Sequence, residues 1–174
     1  NPMFWQGKRV LITGHTGFKG AWLCMLLNSF GARVAGYALD PPTQPSLYEL
    51  ARVDELVDSA LGDVRDLESL SERVRAFAPT VVFHMAAQSV VLRSYDDPVE
   101  TYSTNVLGTV HLLEAVRRIR GACTVINVTT DKCYENKGQV TGYREGDALG
   151  GHDPYSNSKA CAELVGDAYR ESFF

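Results

Sequence analysis

A chain of 174 residues suffices for one domain with a sizeable core, and 45% hydrophobic with 22% charged residues is ordinary for a globular protein. A formal net charge of -4 argues against a nucleic-acid surface or an anionic membrane as partner. No apolar run approaches the roughly 18 residues of a membrane span, and no signal peptide is expected. The four cysteines, Cys24, Cys123, Cys133 and Cys161, form no C-x-x-C pair. That pattern predicts reduced thiols in a cytoplasmic protein and no metal site.

Asn1 to Gly7 is expected to be a loose lead-in. Lys8 to Thr13 has the apolar, β-branched composition of a buried strand. It runs into Gly14-His15-Thr16-Gly17-Phe18-Lys19-Gly20, which opens an apolar helical stretch from Ala21 to Leu27. Strand, glycine turn and helix together predict a nucleotide-phosphate site. Glycine permits positive φ and close backbone approach, and the helix N-terminus offers N–H groups and a favourable dipole. The spacing is G-x-x-G-x-x-G. Gly14, Gly17 and Gly20 form the cradle, and Thr16 and Phe18 are candidates for hydroxyl and backbone contacts to phosphate. A tight turn with no ligand is the alternative.

Ala32 to Leu39 reads as a second strand, closed by Asp40 before Pro41-Pro42. An acid at this place holds the adenosine ribose hydroxyls and repels a 2′-phosphate. Nothing basic follows before Arg52, so NAD is favoured over NADP. Asp54 to Leu61 offers a third strand, and Asp63 with Val64 are placed to bracket an adenine. Asp66 or Ser69 caps the next helix, in which Leu67, Leu70, Val74 and Phe77 recur at helical spacing before Pro79.

Thr80 to Met85 is a further parallel strand, with His84 read as a core histidine. Ala86 and Ala87 are small enough for a cofactor to lie against the backbone, and Gln88 and Ser89 place hydrogen-bonding groups toward a substrate. Asp97-Pro98 starts a helix expected to reach Arg120, with Arg117, Arg118 and Arg120 complementing its dipole. Thr104 and Asn105 are mediocre helix formers in its middle, and Thr104 joins the cofactor candidates. Ala122 to Val128 is the fifth strand. It leads into Thr129, another cofactor candidate, and Thr130-Asp131-Lys132-Cys133-Tyr134. Gly138 to Gly151 suits a mobile loop over a site. Asp153-Pro154 then opens a helix that runs to the chain end. Alternating strands and helices imply an α/β fold, a Rossmann-like doubly wound parallel sheet.

Tyr155 and Lys159 are four apart in that last helix and so share a face. An ammonium beside a phenol favours phenolate and makes it a usable base near neutral pH. On these motifs the chain resembles the extended short-chain dehydrogenase/reductase superfamily, and within it the nucleotide-sugar 4,6-dehydratases. The residues that carry the resemblance are Gly14 to Gly20, Gly36-Tyr37-Ala38-Leu39-Asp40-Pro41-Pro42, Thr129-Thr130-Asp131-Lys132-Cys133-Tyr134-Glu135-Asn136 and Tyr155-Ser156-Asn157-Ser158-Lys159. Lys132 is similar to the CDP-glucose branch, where dTDP-glucose enzymes place a glutamate.

The resemblance implies NAD as a recycled cofactor. Thr130 and Tyr155 would act on the sugar 4-hydroxyl, Lys159 would support the phenolate, and Asp131 with Lys132 would handle elimination of water across C5 and C6 in deoxysugar formation. Which residue takes the C5 proton stays open. It further implies a homodimer, or a tetramer, built on the helices from Asp97 and from Pro154. Two other readings remain: a nucleotide-sugar epimerase, and a non-catalytic dinucleotide-binding protein on the same fold. Residues 1–174 are expected to form the NAD-binding part, with a sixth strand and the substrate-binding C-terminal part absent.

Overall fold

β1 (Arg9–Thr13), β2 (Arg33–Ala38), β3 (Asp58–Leu61), β4 (Val81–His84) and β5 (Thr124–Asn127) pair in parallel in the order β3-β2-β1-β4-β5. The structure, a computed structural model, describes residues 1–174. In register, Val10 lies opposite Val34 on one side and Val81 on the other, and Leu11 opposite Ala35 and Val82. Side chains of a strand alternate between faces, and β1 is apolar on both. Val10 and Ile12 therefore enter one core with Ala21, Cys24 and Leu27 of α2 (Phe18–Ser29). Leu11 enters the other, with Leu70 and Val74 of α5 (Leu67–Phe77) and Leu112, Ala115 and Val116 of α8 (Gly108–Arg117). Each fully buried aliphatic side chain stabilises this three-layer arrangement by about 1.5–3 kcal/mol.

The remaining elements are α1 (Pro2–Trp5), α3 (Leu47–Leu50), α4 (Val53–Leu56), α6 (Val91–Asp96), α7 (Pro98–Tyr102) and α9 (Pro154–Phe173), with a π turn at Ser103–Leu107 and a 3-10 turn at Asp131–Cys133. Asp66, Asp97 and Asp153 each cap the helix that follows by accepting backbone N–H bonds. No helix is long and apolar enough to cross a membrane.

Several elements differ from expectation. Asn1 to Gly7 is no loose lead-in: Asn1 caps α1, and the Trp5 ring packs 6.1 Å from Phe83. The third strand is shorter than Asp54 to Leu61, because residues 53–56 form α4. Asp54 and Glu55 lie in its first turn, where the helix dipole favours acids. The helix from Asp97 is broken by the π turn and ends at Arg117. Arg117 and Arg118 pair with Glu114, at 2.7 and 2.8 Å, and Arg120 lies past the helix end. The glycine-rich stretch after Tyr134 is irregular, held by a bridge between Tyr134 and Leu149 and by the stacked rings of Tyr134 and Tyr143.

Two histidines sit inside the cores. His84 Nδ1 is 2.7 Å from Thr13 Oγ1, and Thr109 Oγ1 lies 3.3 Å from the other ring nitrogen. Burial, with a smaller push from Lys159, lowers His84 to about 3. His15 fills the space left by the missing side chain of Gly36, meets Ser59 at 2.7 Å, and is lowered by burial to about 4. Both folded values lie below the ordinary 6.5, so protons favour the unfolded chain. Stability should be complete above that value and lost as pH falls through it toward 4. Between pH 7.5 and 5 we expect a loss of about 2 kcal/mol for each histidine. Chemical denaturation at the two pH values measures it, and equal stabilities would contradict the neutral-core assignment.

Candidate active site

The turn after β1 is shaped by contacts that exclude a Cβ. Gly14 has φ +76, and its N–H donates to Tyr37 O at 3.0 Å. A Cβ there would lie 2.8 Å from Ala86 N. At Gly20 a Cβ would fall 2.2 Å from Gly14 O, so the third glycine lets α2 settle against the turn. Gly17 is the N-cap of α2 and no side chain caps it. The first N–H groups of a helix lack intrahelical acceptors, and here they are left for an anion.

A cleft of about 270 Å³ runs along the carboxyl edge of the sheet from this turn. Gly14, Thr16 and Gly17 contribute to it from the turn, Asp40 from the end of β2, and Asp63 and Val64 from the segment after β3. Ala86, Ala87, Gln88 and Ser89 line it from the segment after β4, and Thr104 from the π turn. Gly20 lies beneath the turn, and the Phe18 side chain, 70% exposed, stands outside the cleft.

Individual contacts refine this picture. Thr16 Oγ1 donates to Leu39 O at 2.8 Å, tying the turn to the strand end beside Asp40. Asp63 is held by the Arg65 guanidinium at 2.5 Å, and that bond keeps its carboxyl below the usual range. Val64 is buried in the core under Gly108, whose missing side chain makes room for it. The Gln88 amide is engaged within the wall: it donates to Val90 O and Thr101 Oγ1, at 3.1 and 2.9 Å, and accepts from Val90 N at 2.7 Å.

Asn105, a mediocre helix former whose mid-helix place predicts a bond across the helix face, makes such bonds. It is buried, accepts from Gln88 N at 2.9 Å, and donates to Gln88 O at 3.0 Å and to Ser158 Oγ at 2.9 Å. Ser94, which no sequence motif marks, accepts from Tyr155 N at 3.1 Å through its Oγ. Together they fix the start of α9 against α6 and the π turn.

Tyr155 and Lys159 are 8% and 6% exposed. Lys159 Nζ donates to Val128 O at 3.3 Å; burial lowers its pKa to about 8, against the pull of Glu163. Thr130 Oγ1 donates to Asp131 Oδ1 at 3.1 Å and accepts from Lys132 N at 3.3 Å, so it caps the 3-10 turn. Thr129 Oγ1 donates to Glu163 Oε1. Asp131 and Lys132 are exposed and line a second cleft, of about 310 Å³, with Tyr134, Asn136, Tyr143 and the segment from Gly150 to Asp153. Thr129, Thr130, Tyr155 and Lys159 line neither cleft.

A parallel sheet in this order, with a glycine turn after β1 and a Tyr-x-x-x-Lys helix after β5, defines a Rossmann-like protein of the short-chain dehydrogenase/reductase kind. Within that class the chain belongs to the family described as GDP-mannose 4,6 dehydratase, whose profile matches residues 11–174. It is 59% identical over 171 residues to CDP-glucose 4,6-dehydratase of Salmonella typhimurium, covering 98% of this chain and 48% of that protein. Among solved structures it resembles a UDP-glucose 4-epimerase from Brucella ovis in complex with NAD (TM-score 0.81, 29% identity, 96% of this chain and 49% of the other). It also resembles a dTDP-glucose 4,6-dehydratase from Streptomyces venezuelae with NAD bound (TM-score 0.79, 29% identity, 95% and 52%). The chain thus spans about half the length of the relatives it matches.

The glycine geometry makes a differential prediction. Gly20→Ala drives a Cβ into backbone and should cost about 1–3 kcal/mol. Gly17→Ala meets only Gly14 O at 3.4 Å, an ordinary contact, and should leave denaturant midpoints nearly unchanged. Equal costs for the two would refute the packing role of the third glycine.

Proposed function

We propose that these residues form the cofactor-binding half of a NAD-dependent CDP-glucose 4,6-dehydratase, a lyase of deoxysugar synthesis. The observation that carries this reading is the buried Tyr155–Lys159 pair on α9, packed against the turn that holds Thr130, Asp131 and Lys132. The likeness to the Salmonella enzyme supports the nucleotide. The cradle fits a dinucleotide: backbone stands where side chains at positions 14 and 20 would be, and α2 has an uncapped N-terminus. Gly14, Thr16, Gly17, Phe18 and Gly20 would hold the pyrophosphate, Asp40 the adenosine ribose, Asp63 and Val64 the adenine. Ala86, Ala87, Thr104, Thr129, Tyr155 and Lys159 would border the rest. NAD, when bound there, would supply the hydride acceptor for oxidation at the sugar C4 and the hydride source for C6.

The chain's own residues then divide the proton work. Tyr155, as phenolate beside the Lys159 ammonium, accepts the proton of the 4-hydroxyl, with the Thr130 hydroxyl as its partner on that oxygen. The resulting ketone acidifies the C5 proton. Asp131 donates a proton to the departing C6 hydroxyl, so the group leaves as water. With Asp131 spent as the acid at C6, Lys132 on the same exposed turn is the neighbouring group placed to take the C5 proton, in its neutral form, and Gln88 and Ser89 border the sugar.

The same reading makes the intact protein a cytoplasmic homodimer or tetramer. Its four cysteines are free, with Cys24 and Cys123 pushed up by burial to about 12 and about 11. Apolar side chains stand outward on the helices expected to pair, Val99 at 76% exposure among them, with Leu107 and Leu164.

Incubating the intact protein with CDP-glucose and following the 4-keto product by its absorbance in alkali tests the reading. Product should form, and Tyr155→Phe should lower turnover by more than tenfold, a barrier rise above about 1.4 kcal/mol. Epimerised sugar without ketone would favour an epimerase instead. In a binding titration NAD should be preferred to NADP, and Asp40→Ala should erase the preference; equal affinity in the unaltered protein would overturn the Asp40 assignment.

A further inference from the structure

Three successive residues, starting with Asn127 of the last ladder pair between β4 and β5, bond to α9. Asn127 Nδ2 donates to Ala162 O at 3.3 Å, Val128 O accepts from Lys159 Nζ at 3.3 Å, and Thr129 Oγ1 donates to Glu163 Oε1. Tyr155, Lys159 and Glu163 recur at intervals of four, which aligns them along one side of the helix. Of these clamp contacts only the last uses a carboxylate. We propose that Glu163 is a positioning residue of the active site: it ties the strand end carrying Thr129 and Thr130 to the helix carrying Tyr155 and Lys159, and supplies the negative charge that acts on the buried Lys159.

The surroundings of Lys159 leave that task to Glu163. From β4 comes His84, which burial keeps neutral. The π turn and α8 contribute Asn105 and Thr109, which bond Ser158, next to Lys159, and His84, and both are uncharged. Tyr102 of α7 faces Asp153 and Cys161 instead. After β5, Asp131 acts on Cys133, and Cys133 and Tyr134 both feel Glu163. Burial alone drives the Lys159 ammonium toward its neutral form, and the Glu163 charge opposes that drift. A neutral Lys159 would no longer favour phenolate at Tyr155. The inference thus rests on the catalytic reading of that pair, although the charge relation can be measured without it.

The test uses the intact protein with lysine labelled with carbon-13 at Cε, the Lys159 signal being assigned by its loss in Lys159→Met. In the unaltered protein that signal should titrate near 8. Glu163→Gln keeps an acceptor for Thr129 but removes the charge, and should lower the midpoint by about one pH unit, a tenfold loss of proton affinity. Glu163→Asp, with its carboxylate drawn back, should lower it by less. Where the protein turns over CDP-glucose, the high-pH limb of its rate profile should move down with the midpoint.

An unchanged midpoint in Glu163→Gln overturns the proposal; should that variant not fold, an unchanged midpoint in Glu163→Asp does so equally. A lowered midpoint in a protein inactive on CDP-glucose upholds Glu163 and rejects the dehydratase reading. An unchanged midpoint with normal turnover does the reverse.

Discussion

The close approach of α2 to the turn after β1 sets the geometry of the whole carboxyl edge. Gly14 O occupies the position that a Cβ of residue 20 would take, and the backbone at Met85 and Ala86 occupies that of residue 14. Two strands and a helix therefore meet with no side chain between them. The turn is also held from β2, through the Gly14 N–H to Tyr37 O and the Thr16 hydroxyl to Leu39 O. Its N–H groups stand fixed before any ligand arrives, which lowers the ordering cost of binding. The same packing places Asp40 and the Ala86-Ala87 segment at the borders of one cleft.

The other side of the edge depends on polar bonds rather than on missing side chains. Asn105 bridges the segment after β4 to Ser158 of α9, and the backbone relaxes into a π turn around it. Such turns insert a residue into a helix and often mark functional positions. Here it brings one buried amide within reach of two partners that lie in different elements. Ser94 and the residues after β5 complete the attachment of α9, so Tyr155 and Lys159 are fixed from several directions. The site is thus assembled from rigid elements, with Asp131 and Lys132 presented on an exposed turn beside it.

Electrostatics follow from this burial. His84 and Lys159 are neighbours inside the protein, and desolvation acts against the charged form of each. The histidine gives way and stays neutral, satisfied by two threonine hydroxyls. The lysine, with the Glu163 carboxylate nearby, keeps a value above neutrality. One buried group is thereby neutral, and the other keeps a titratable ammonium on the same helix face as Tyr155.

Much of this was legible in the sequence because it depends on neighbours along the chain. Apolar runs marked β1 and β4, and aspartates before helices marked three N-caps. The glycine spacing marked the turn, and Tyr155 and Lys159 at four residues apart marked one helix face. Residues 54–56 read as the start of a strand but belong to α4, because Arg52 turns into the left-handed region ahead of them and Asp54 and Glu55 suit the first turn of a helix. Tertiary structure alone decided that His15 would fill the space above Gly36, and that the Gln88 amide would be occupied within the wall. It alone decided that Asn105 would meet Ser158 across 53 positions, and that Glu163 would reach Thr129 across 34. Periodicity and capping are set by residues a few places apart, whereas these partners meet only after the sheet orders its strands and the helices pack on it.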